Sequence, residues 1–67
     1  MGYWSIDATA TYKTRKGIVT TQIPTFYLNE NVQGIINGEQ AKRIANDIIN
    51  PTKNMNITVS IYAHFMG

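Results

Sequence analysis

The chain has no cysteine, one histidine, two prolines and four acidic residues among its 67. Each scarcity excludes something. Without cysteine there is no disulfide and no thiolate metal site. A single histidine, His64, leaves too few ligands for an all-protein zinc centre. The acids are Asp7, Glu30, Glu39 and Asp47. No spacing among them sets two carboxylates on one face, as a glycosidase-type site needs. No glycine-rich loop follows a strand to cradle phosphate. Ser5 and Ser60 stand at no nucleophile elbow, and His64 on a polar strand face lacks the partners of a general base. The residues therefore predict a non-enzyme with no cofactor and no metal.

Long apolar runs are missing too. None approaches the ~18 residues of a transmembrane helix. The opening residues show no basic segment followed by an apolar stretch, so no signal peptide is expected. The cytoplasm is the default compartment. Charge is sparse, with a net +2. A dedicated duplex-DNA binder shows a dense basic stripe instead. The richness in Asn, Ile, Lys and Thr fits an AT-rich coding source, such as a bacterial or phage accessory protein.

A chain of this length forms one domain, here residues 1–67. It buries only roughly 60% of the surface its unfolded form exposes. Small scaffolds commonly need a staple. With disulfide and metal excluded, self-association remains, and a homo-oligomer is expected.

What is present is periodic. Tyr3 to Lys13 alternates, with Trp4, Ile6, Ala8, Ala10 and Tyr12 on one side. That period of two predicts a strand. Thr14-Arg15-Lys16-Gly17 reads as a three-residue hairpin loop closed by a left-handed glycine. With Thr14 opposite Ile18, Tyr12 faces Thr20, Ile6 faces Phe26 and Trp4 faces Leu28. Pro24 cannot donate a ladder bond, so the second strand is an edge or is kinked there. Asn29 to Asn37 reads as a loop. Asn37 then caps a helix, with Gln40 in the capping-box position. Ala41, Ile44, Ala45, Ile48 and Ile49 form its apolar stripe, and Glu39 with Arg43 makes an i,i+4 pair outside. Asn50-Pro51 ends it. From Met55 to Phe65 the period returns to two.

The order β-β-α-β puts a crossover helix between the second and third strands, which favours those two running parallel. The expected fold class is α+β. It is a three-stranded sheet of strand order 2-1-3, with one helix on the face of Trp4, Phe26 and Val59. An all-antiparallel 1-2-3 sheet is the competitor.

One helix covers one face. The other face is expected to carry Tyr3, Val19, Ile23, Tyr27 and Tyr62, with His64 nearby, as an interaction surface. Exposed aromatic and apolar patches of this kind suit a second copy or another protein, with two copies stacking their open faces or joining edge strands. The hairpin tip offers Lys13, Arg15 and Lys16 as phosphate contacts, and sheet tyrosines can stack bases. A nucleic-acid module is thus the alternative to a self-associating protein module.

Overall fold

A computed structural model describes residues 2–67 of the chain. Strand β1 (Tyr3–Thr14) is followed by β2 (Gly17–Asn29), a single-turn helix α1 (Glu30–Gln33), helix α2 (Gly38–Ile49) and β3 (Ile57–Phe65). The sheet order is β2-β1-β3, and β1 runs antiparallel to both neighbours. The fold is the α+β arrangement that the alternating patterns and the crossover predict.

The hairpin differs from expectation in a way that matters for the site. Thr14 pairs with Gly17, not Ile18, so the turn is Arg15-Lys16. The Thr14 hydroxyl braces it. Oγ1 accepts from the Lys16 N–H at 3.2 Å and donates to the Gly17 carbonyl at 3.0 Å. Gly17 has φ +131°, a conformation that side chains resist. Tyr12 therefore faces Val19 and Ala8 faces Ile23. Farther along, Ile6 faces Phe26 and Trp4 faces Leu28, as expected.

A β-bulge reconciles the two registers. Pro24 and Thr25 together stand opposite Asp7, and neither has a ladder partner. Proline lacks the N–H that a regular ladder position uses, so the bulge falls where pairing is least favourable. The Thr25 hydroxyl donates to Asp7 Oδ1 at 2.6 Å across it. Pro24 marks a kink, and β2 is also an edge strand.

Where a loop was expected, α1 forms. Asn29 caps it, its Oδ1 accepting from the N–H groups of Asn31 and Val32. Gly34 ends it with φ +66°. Ile35 then turns inward and is buried. Asn37 caps α2 through the Gln40 N–H at 2.9 Å. Gln40 reaches back one residue beyond the usual box, its Oε1 accepting from the Ile36 N–H at 2.8 Å. On the wet side Glu39 approaches Lys42, at 3.9 Å, in place of Arg43.

The core lies under α2. Ala41 and Ala45 are fully buried, and their small side chains let the helix settle closely on the sheet. Beneath them pack Ile6, Leu28 and Ile35, flanked by Trp4, Phe26, Ile44, Ile61 and Ala63. Trp4 and Phe65 meet at one end, with ring centroids 5.1 Å apart. The hairpin runs on past this core, in a molecule of 45 × 19 × 14 Å.

Candidate interaction surface

Strand periodicity decides what the uncovered face carries. Its central row on β1 is Tyr3, Ser5, Asp7, Thr9, Thr11 and Lys13. Ser5 stands between Tyr27 on β2 and His64 on β3, and Asp7 lies beside Tyr62. Tyr27 and Tyr62 are 60% and 62% exposed, and Tyr3 is 44% exposed. Tyr62 and His64 lie nearly parallel, with ring centroids 6.3 Å apart. Tyr3, Tyr27, Tyr62 and His64 thus gather at one end of the open face.

Val19 and Ile23 do not join them. The two-residue turn gives each the opposite parity, placing them with Tyr12 and Ala8 on the helix side of the sheet. Val19 lies on the hairpin extension and stays exposed, while Ile23 is half-buried. Apolar residues of β2 fall at 18, 19 and 23 before Pro24 and at 26, 27 and 28 after it, so no single alternation accommodates them all.

Lys13, Arg15 and Lys16 are exposed at the opposite end of the hairpin. Strand rise separates them from the tyrosine end by roughly 30 Å. A depression of about 560 Å³ near the tip is lined by Lys13, Tyr12, Ile18 and Met55, among others, but by neither Arg15 nor Lys16. The three cations therefore do not converge on one pocket.

Three of the four acidic groups are occupied elsewhere. Asp7 accepts from Thr25, Glu39 approaches Lys42, and Asp47 pairs with Lys53. Among the described residues no hydrogen bond joins His64 to another side chain, and no three metal-ligating side chains cluster. No helix there is long and apolar enough to cross a membrane. Comparison with known proteins finds no matching family model, curated protein or solved structure.

Edge strands were expected as one route to self-association; what sequence reasoning did not separate is the two edges. β3 has nine residues, Ile57–Phe65, without proline, glycine or a formally charged side chain. Composition alone could have flagged it, because natural edges usually carry such protection.

Proposed function

We propose that this chain is a non-catalytic protein-interaction module that self-associates through the open face or the edge strands of its sheet, the parts left uncovered by α2. The observation that carries the reading is the one-sided cover. A single helix packs on one face, while Tyr3, Tyr27 and Tyr62 remain open on the other. Tyrosine suits such a role, because its ring offers contact area and its hydroxyl tolerates water. The action is steric: a preformed surface binds a second copy, or another protein, with no bond made or broken. The cytoplasm is its default setting.

Base stacking on the tyrosines with phosphate contacts at the tip ranks second. The 30 Å or so between them, by strand rise, would need a strand of nucleic acid laid along the whole hairpin.

Sedimentation velocity across micromolar to millimolar concentration tests the first reading. A reversible rise in mass is expected. A monomer throughout that range sinks it. Binding of single-stranded oligonucleotide that weakens with salt, and with Tyr62→Ala, would promote the second.

A further inference from the structure

The two edges of the sheet are built differently. β2 carries Pro24 and a bulge, both devices that discourage pairing. β3 carries none. Its hydrogen-bonding phase follows from one contact. The Met66 N–H donates to the Tyr3 carbonyl at 2.8 Å. Bonded pairs alternate along an antiparallel ladder. Tyr3 and Met66 extend the register of Trp4 with Phe65, so Ser5/His64, Asp7/Tyr62, Thr9/Ser60 and Thr11/Thr58 are the bonded pairs. Val59, Ile61, Ala63 and Phe65 then direct their N–H and C=O groups off the edge, joined by the Ile57 carbonyl, since the Ile57 N–H donates to the Asn54 carbonyl at 3.3 Å.

This array is centred on Ile61. We propose that a second copy of the chain docks antiparallel along β3, with a two-fold axis at Ile61, to form one continuous six-stranded sheet. The proposal rests on the self-association above and names its interface.

Three observations favour a second copy over a foreign strand. First, the register is self-complementary. On the helix side Val59 meets Ala63 of the partner subunit, and Ile57 meets Phe65 of the partner subunit. On the open side Ser60 meets Tyr62 of the partner subunit. No formal charge lies on the strand to oppose its own image. Second, there is room beside the edge. A groove of about 330 Å³ separates Val59 and Ile61 from the helix flank of Glu39, Lys42, Arg43 and Asn46. A second flank related by the same axis can enter it, as an isologous contact requires. Third, the area is adequate for a weak dimer. An edge of about 30 Å, in a molecule whose shorter dimensions are 19 and 14 Å, presents roughly 400–600 Å² per copy. That doubles to roughly 800–1,200 Å², below the standard size of stable interfaces and in the range of weak, transient ones. The dimer is therefore reversible, with its open tyrosine faces continuous across the axis.

The test uses the absence of native cysteine. Positions 60 and 62 face each other across the proposed axis as a non-bonded pair, with Cα atoms about 4.5 Å apart, within disulfide reach. Mixing Ser60→Cys chains with Tyr62→Cys chains under mild oxidation is expected to give mainly the mixed disulfide dimer. Each variant alone gives little. Val59→Pro removes an N–H that points off the edge and leaves the β1 ladder intact. It is expected to weaken dimerisation about 10- to 100-fold, by two lost hydrogen bonds, with an unchanged circular dichroism spectrum. A dimer that neither cross-links this way nor responds to Val59→Pro overturns the edge interface but keeps self-association. A monomer at all concentrations overturns both. If Val59→Pro does not fold, the mixed cross-link alone decides.

Discussion

Asn50 organises the turn between α2 and β3. Its side chain is polar yet buried, at 8% exposure. It ends α2 and precedes Pro51. Its Nδ2 donates to the Asn54 carbonyl at 3.2 Å, and its Oδ1 accepts from the Asn54 N–H at 3.1 Å. One amide thus satisfies both backbone groups of Asn54 and closes the loop that feeds β3. Lys53, inside that loop, holds φ +55°. Asn50→Ala removes both bonds, but Asn54 is exposed and its carbonyl keeps the Ile57 N–H at 3.3 Å, so the cost is about 0.5–1.5 kcal/mol. In a domain of this size the melting temperature is expected to fall by about 2–12 °C, read by thermal circular dichroism. An unchanged Tm would show that water replaces the amide fully. Trp4 is the reverse case: its indole N–H is buried without a partner. That side chain is held by packing on Phe65 rather than by a hydrogen bond.

At the scale of elements, the bulge in β2 is the decisive feature. It lets Val19 and Ile23 share a face with Phe26 and Leu28 despite their opposite parity. Deleting Thr25 removes the extra residue and forces one half of β2 out of register. Either Leu28, now 3% exposed, loses its place in the core, or the Arg15-Lys16 turn must rebuild. Burial of one leucine is worth about 1.5–3 kcal/mol, and Phe26 moves with it. The deletion is expected to cost about 3 kcal/mol or more, measured by urea unfolding, whereas Thr25→Ser retains the bulge and the bond to Asp7. A deletion variant as stable as the parent would show that the register is set elsewhere. The same element marks where the sequence was legible. Regular periods in β1, α2 and β3 led directly to the fold, because one buried face imposes one register. Asn37 and Asn50-Pro51 marked the helix ends for the same local reason. β2 resisted because its pattern changes parity midway, and strict alternation assigned Val19 and Ile23 to the wrong face. The single turn of α1 was missed although Asn29 and Gly34 are its cap and its stop, since four residues leave no periodic stripe to read. The cluster of Tyr3, Tyr27, Tyr62 and His64 was legible, because it lies beyond the bulge, where the expected register holds.

For the whole molecule, the core is small and sits toward one end. Ile6 is its one large side chain buried to below 2% exposure among the described residues. The hairpin extends past α2, and Ile48 of the helix stripe is still 52% exposed. On the proposed self-association, a second copy covers part of the rest, and folding and association would then be coupled. If the dimer unfolds directly to separate chains, a tenfold rise in concentration above the dissociation constant adds about 0.7 kcal/mol per chain, half of the tenfold step. The expected rise in Tm is about 3–6 °C. Salt provides an independent sign. Each copy carries net charge +2, and Lys42 and Arg43 line the flank beside β3. Two-fold pairing brings these like charges together, with Glu39 offsetting them only in part. Screening should therefore strengthen the dimer as ionic strength rises from low to physiological. A phosphate-bound complex behaves oppositely and dissociates with salt. Melting curves at two protein concentrations and two salt concentrations separate these cases. A Tm that rises with both supports self-association, and a Tm independent of protein concentration shows a domain that is stable on its own.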